Sequence, residues 1–116
     1  IANSHNYETL VEELAELGAD LLIENLPRFI KGEIRPIAQN ENEPTHTKKF
    51  RTEDGYVDLE KDDQIIIERK IRALNPEPGV WTIQNNKRVK LLEAEIIDGK
   101  LKLKKIQIEG KRPTIL

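Results

Sequence analysis

From Arg69 to the last residue, twelve Lys or Arg side chains stand against five Asp or Glu, in a chain whose net charge is only −2. Residues 1–47 run the other way, with three basic and nine acidic side chains. A basic segment behind an acidic arm suits a polyanion partner, because lysine and arginine hold phosphates through charge and counterion release without reading bases. The alternative is a solvated sheet face. Catalysis finds no comparable set of groups. His5 and His46 have no acidic or thiol partners at metal-ligand spacing, cysteine is absent, and there is neither a glycine-rich phosphate loop nor a nucleophile elbow. Asp58, Asp62 and Asp63 gather where a helix begins, so capping and dipole roles explain them better than general acid work.

The elements that must carry these cations are legible from periodicity. Leu10, Leu14, Leu17 and Leu21 recur at helical spacing with Glu8, Glu12, Glu13 and Glu16 facing away, which predicts an amphipathic helix from about Asn6 to about Ile30. Gly32 is placed to close it, and Pro27 predicts a kink or break near Ile23–Leu26. Residues 34–51 carry Pro36 and Pro44 without sustained period and read as a linker. A second helix runs from Asp63 to Leu74, with Ile67, Ile71 and Leu74 inward and Ile65 and Ile66 widening the buried face. It must stop at Asn75, before Pro76. Pro78-Gly79 fits the centre of a type II turn leading into a strand from Val80.

Two hairpins follow, turning at Asn85-Asn86 and Asp98-Gly99. The second sets Ile96 opposite Leu101, Glu95 opposite Lys102, Ala94 opposite Leu103 and Glu93 opposite Lys104. Lys100, Lys102 and Lys104 are therefore partly neutralised across the strands, which favours a structural role for them. Beyond that rung the apolar parity switches on both strands, with Leu91 opposite Ile106 and Val89 opposite Ile108, as a bulge moving the pair between packed faces would require. Trp81 reads as core, with base stacking as the alternative.

At 116 residues the chain is one modest domain, or a small domain with an arm. It has no methionine and reads as a piece of a longer protein. The lack of cysteine fits a reducing interior, and no apolar run approaches the roughly 18 residues of a membrane span, so a cytoplasmic location is the expectation.

Several ordered segments carry a family likeness. Arg72-Ala73-Leu74-Asn75-Pro76-Glu77-Pro78-Gly79-Val80-Trp81-Thr82 resembles the "RA-aromatic-NP-x-PG-x-W-T" string of the methionyl-tRNA formyltransferase C-terminal domain. Leu14-Ala15-Glu16-Leu17-Gly18-Ala19, Thr45 to Phe50, Asp54-Gly55-Tyr56-Val57-Asp58 and Gln107 to Pro113 are similar to the family's last catalytic-domain helix, its linker, its "EDG-x-ID-W" segment and its "LQ-x-EGKKP" closing strand. Leu59 stands where the family usually has tryptophan and His46 where tyrosine is common. A strand pair that the family normally inserts between Ile97 and Lys100 is reduced to Asp98-Gly99, so a five-stranded barrel is not expected to close.

The resemblance implies an α+β fold, a long helix and linker followed by a helix and a small antiparallel sheet like a truncated OB-like barrel. It divides the chain into residues 1–47, the helix and arm of the catalytic domain, and residues 48–116, a shortened tRNA-binding domain. It also implies that Lys48, Lys49, Arg51, Arg72, Lys111 and Arg112 contact RNA, although Arg72 can instead serve the helix C-terminus. The implied partners are initiator methionyl-tRNA and an absent catalytic domain that would use 10-formyltetrahydrofolate; no cofactor or metal is expected on this chain. Self-association through Leu10–Leu21 is a further expectation, since that stripe would lack its usual cover. The competing readings are the related domain of a sugar-nucleotide formyltransferase and a stand-alone interaction module without RNA affinity.

Overall fold

The structure is a computed structural model that describes residues 1–2 and 4–116. It divides into two compact units, one of Ile1 with residues 8–49 and one of residues 2–7 with residues 50–116. Within them the elements run α1 (Tyr7–Ile30), a 3-10 turn (Thr52–Gly55), α2 (Gln64–Leu74), β1 (Val80–Gln84), β2 (Lys87–Ile97), β3 (Lys100–Ile108) and β4 (Thr114–Ile115).

The first unit is essentially α1 and an irregular tail. No break occurs at Pro27, and the helix runs on to Ile30. The proline removes only the bond its own N–H would have made, one turn from an end that is firmly closed. Gly32 adopts φ 77°, with Gly32 N–H bonded to the Phe29 carbonyl at 3.0 Å and Glu33 N–H to the Arg28 carbonyl at 2.9 Å, the Schellman arrangement. No residue of α1 is buried. Leu21, Leu22, Leu26 and Phe29 line an open apolar trough with Ile34. No described helix is long and apolar enough to cross a membrane.

The second unit has a seven-residue core of Val57, Ile67, Ile71, Leu74, Val80, Val89 and Leu91. α2 supplies three of these at helical spacing, and its start is fixed by Asp63, whose Oδ1 accepts from the N–H groups of Ile65 and Ile66 at 2.9 and 3.0 Å. Ile65 and Ile66 do not widen the buried face; they are nearly half exposed. Their positions fall off the Ile67–Ile71–Leu74 stripe, so a helix lying on one side of a sheet cannot bury them as well.

The sheet is a meander in the order β1-β2-β3-β4, antiparallel throughout and not closed into a barrel. Both hairpins turn where expected, with positive φ at Asn85, Asn86, Asp98 and Gly99. Rungs Ile96↔Leu101, Glu95↔Lys102, Ala94↔Leu103, Leu91↔Ile106 and Val89↔Ile108 are as the sequence implies, but Glu93 faces Lys105 rather than Lys104. The irregularity lies at this rung. It does not carry the strands between two faces, because Ala94, Leu101, Leu103, Ile106 and Ile108 all pack against the one core. The parity switch keeps the apolar side inward while the pair bends over α2.

Two features have no counterpart in the sequence reading. β4 pairs with Lys105 and Ile106 of β3, and Tyr56 makes a parallel bridge to Trp81 on the outer side of β1, where Val57 N–H bonds the Trp81 carbonyl at 3.0 Å. At the expected Pro78-Gly79 turn the glycine does take positive φ, and the hydrogen bonds of the corner reach back to Leu74 and Asn75. Both Asn75-Pro76 and Glu77-Pro78 are cis, Gly79 at φ 83° gives its N–H to the Leu74 carbonyl, and Val80 N–H bonds Asn75 Oδ1 at 3.3 Å.

Asp58 anchors the loop before α2. Its Oδ1 accepts from Glu60 N–H at 3.0 Å and Lys61 N–H at 3.2 Å, and Lys61 Nζ lies 3.2 Å from Oδ2. The Glu60 backbone bond first, then the Lys61 side chain, hold the Asp58 carboxyl below its ordinary value of 3.8. A depressed carboxyl contributes stability above the unfolded value that is lost as pH falls through the folded one. Asp58→Asn is therefore expected to flatten the acid side of the stability profile below about pH 3.8, seen as a smaller drop in urea midpoint from pH 5 to pH 2.5 than in the unaltered chain.

Candidate nucleic-acid interface

The side of the sheet away from the core is built by alternation. Val80 and Thr82, Val89 and Leu91, and Ile106 and Ile108 face inward, so Trp81 and Ile83, Arg88 and Lys90, and Gln107 must face outward. Trp81 is consequently not a core residue, although it is well held. Its Nε1 donates to the Thr52 carbonyl at 2.9 Å, the Tyr56 ring lies 5.0 Å away at a 59° tilt, and the Arg88 guanidinium carbon stands 3.8 Å over the indole. Cation–π contact accounts for that last placement.

The six cations singled out in the sequence fall into separate places. Lys48 and Lys49 are exposed at the end of the first unit. Arg51 opens the 3-10 turn, its backbone N–H bonded to Asp54 Oδ2 at 2.8 Å, with the residue exposed. Lys111 and Arg112 are exposed between β3 and β4, where Gln107 Nε2 donates to the Lys111 carbonyl at 3.0 Å. Arg72 differs from these. Its Nε bonds Glu68 Oε1 and its Nη1 the His5 carbonyl at 2.8 Å, so protein groups occupy much of its fork. It belongs to α2, on the core-facing side of the sheet.

Two sequence-distant members of the set are nevertheless drawn toward one another through Trp81 and Arg88. Thr52, next to Arg51, receives the Trp81 indole N–H, while the Arg88 carbonyl accepts from Glu109 N–H at 2.9 Å and Arg88 N–H bonds the Glu109 side-chain Oε2 at 3.3 Å, two residues before Lys111. Arg88 and Lys90 were missed in the sequence. The Asn85-Asn86 turn was enough to place them, since it fixes Ile83 opposite Arg88 and Trp81 opposite Lys90. A trough of about 260 Å³ opens beside them, lined by Arg88, Lys90, Gln107, Ile108, Glu109 and Gly110.

Charge is not spread evenly along this surface. Toward the Asp98-Gly99 end, Lys104 pairs with Glu95 and Lys105 with Glu93 at 3.2 Å. These exposed pairs contribute at most about 1 kcal/mol each, but they cancel local charge. Among the described residues, neither Arg88 nor Lys90 has a carboxylate partner for its charged group. The Arg88 and Lys90 charges beside Trp81 are thus not cancelled by an ion pair. Among the described residues there is also no group of three His, Cys, Asp or Glu able to hold a metal ion.

Comparison with known proteins places this architecture. Residues 49–110 match the formyl transferase C-terminal domain. The chain belongs to that family. The methionyl-tRNA formyltransferase of Streptococcus gordonii is 34% identical over 116 residues, all of this chain and 37% of that protein. The enzyme of the same name from Lactococcus lactis subsp. cremoris strain MG1363 is 36% identical over 84% of this chain and 30% of its own length. The chain therefore spans about a third of the length of the curated relatives it matches. A solved methionyl-tRNA formyltransferase from Clostridium thermocellum superposes with a TM-score of 0.56 at 22% identity, covering 78% of this chain and 40% of that one, which shows the shared fold. The resemblance to the C-terminal region of methionyl-tRNA formyltransferases extends from sequence to architecture.

Proposed function

We propose that this chain positions initiator methionyl-tRNA for formyl transfer by a catalytic portion outside it, which would take the formyl group from 10-formyltetrahydrofolate in the cytoplasm. Similarity along the full length of the chain to an enzyme named for methionyl-tRNA is the observation that carries this reading. Physical support comes from exposed Lys48, Lys49, Arg51, Lys111 and Arg112, which suit phosphate contacts that position an RNA without selecting bases. Arg72 enters the proposal as a support for the N-terminal segment through His5 more than as a direct contact. On this reading the formyl donor belongs to the portion outside this chain.

Binding of initiator tRNA should weaken steeply with salt. Lys48→Ala, Lys49→Ala and Arg51→Ala together are expected to reduce affinity by about ten- to a hundredfold and to lower the slope of log K against log salt by as much as ~3. Fluorescence anisotropy with labelled tRNA measures both quantities. Unchanged retention of tRNA by the triple variant would remove the linker from the interface. A sugar-nucleotide formyltransferase or stand-alone module would show no tRNA affinity in the unaltered chain. In the stand-alone case, α1 would instead drive oligomers through Leu10–Leu21.

A further inference from the structure

We propose that Arg88, its guanidinium held over Trp81, is an RNA phosphate contact on the sheet's outer face near the Asn85-Asn86 turn, with Lys90 as its neighbour. This rests on the reading that the chain binds tRNA, and it adds residues that neither the sequence motifs nor the family match singles out. The indole is immobilised before any ligand arrives, by the Nε1 bond to Thr52 at 2.9 Å and by the Tyr56 ring. The guanidinium carbon stands 3.8 Å from the centre of the indole, and none of its N–H donors is taken by a protein acceptor among the described residues. A planar fork held in this way has lost its rotamer freedom already, so a phosphate that docks on it meets a prepared donor set.

The surroundings favour an incoming anion over an internal partner. Among the described residues, no protein group accepts from the Arg88 guanidinium. Glu109, which shares the trough, turns Oε2 to the Arg88 backbone N–H at 3.3 Å and makes no ion pair with the guanidinium. Lys90 stands two residues along β2 on the same face, opposite Trp81 and beside Gln107. Arg51 adjoins the carbonyl that Trp81 binds, and Lys111 follows the Glu109 rung, so Arg88 occupies the interval between two exposed cations. Base stacking directly on Trp81 is disfavoured, because the guanidinium covers one face and Tyr56 leans on the ring from another direction.

The test compares labelled initiator tRNA with an unrelated RNA of equal length, titrated with the full chain at several salt concentrations. Arg88→Ala and Arg88→Gln should each weaken both RNAs about tenfold and lower the salt slope by ~1, Arg88→Lys should fall between, and Lys102→Ala should change neither. Thermal midpoints by circular dichroism separate lost contacts from lost folding, and the Gln variant keeps two of the three side-chain methylenes and a planar polar end while removing the charge. Wild-type affinity and slope in both Arg88→Ala and Arg88→Gln would overturn the assignment while leaving tRNA binding intact. Loss confined to one RNA would overturn the phosphate contact in favour of base readout. An unaltered chain that binds neither RNA at low salt would overturn this inference together with the function it rests on.

Discussion

Gly55→Ala is expected to cost at least about 3 kcal/mol, enough to leave much of the second unit unfolded at room temperature. A Cβ added at Gly55 would stand 1.9 Å from the Gly79 carbonyl oxygen and 3.0 Å from its carbon. Relief has to come from backbone, and that backbone is fixed on both sides. Gly79 is buried, gives its N–H to the Leu74 carbonyl at 2.8 Å, and leads straight into Val80, which is fully buried. Moving Gly79 away would pull the end of α2 from the start of β1. Urea unfolding followed by the fluorescence of Trp81, the sole tryptophan, reports the loss directly. An alanine variant with an unshifted midpoint would mean that the 3-10 turn does not pack on this corner.

Asn75 holds the same corner from the other side. Its Nδ2 donates to the Leu91 carbonyl at 2.9 Å and the Leu92 carbonyl at 3.2 Å, while Oδ1 accepts from Val80 N–H. One side chain thus joins the end of α2, the first residue of β1 and the irregular stretch of β2. Asn75→Ala leaves two carbonyls and an N–H in partly buried surroundings without their partner, a loss of roughly 3 kcal/mol at about 1 kcal/mol each. Asn75→Asp keeps the bond from Val80 but turns an anion toward two carbonyl oxygens, so it should be no more stable than the alanine variant. Urea midpoints of the three proteins settle the order. An aspartate variant as stable as the original would show that the amide donors contribute nothing.

Both expectations concern contacts that the sequence could only hint at. Asn75 was legible as a helix stop because the proline after it forbids the α conformation, yet its three bonds depend on where β2 lies. The limits of α2 and the rungs near Asp98-Gly99 were readable for the opposite reason, since capping, apolar spacing and a two-residue turn act within a few residues. Ile65 and Ile66 were misplaced by counting apolar residues without asking how wide a stripe one sheet can cover. β4 and the Tyr56 bridge escaped notice because each is only a residue or two long and is defined by its partner strand. For the candidate interface, Lys49, Arg72, Lys111 and Arg112 came from motif resemblance, and Lys48 and Arg51 from adjoining Lys49. Arg88 could have come only from following the Asn85-Asn86 register to the residue diagonal to Trp81.

The displaced rung on β2 and β3 constrains how this hairpin can change its size. Between Ala94↔Leu103 and Leu91↔Ile106 each strand contributes two residues, and only Glu93↔Lys105 is paired there. Leu92 and Lys104 are therefore surplus to the ladder, one on each strand. Removing either alone would throw the distal loop out of phase with α2, whereas removing both would leave an uninterrupted alternation. Insertions and deletions in this arm of the molecule must come as matched sets, a rule that anyone lengthening or trimming the hairpin would have to respect.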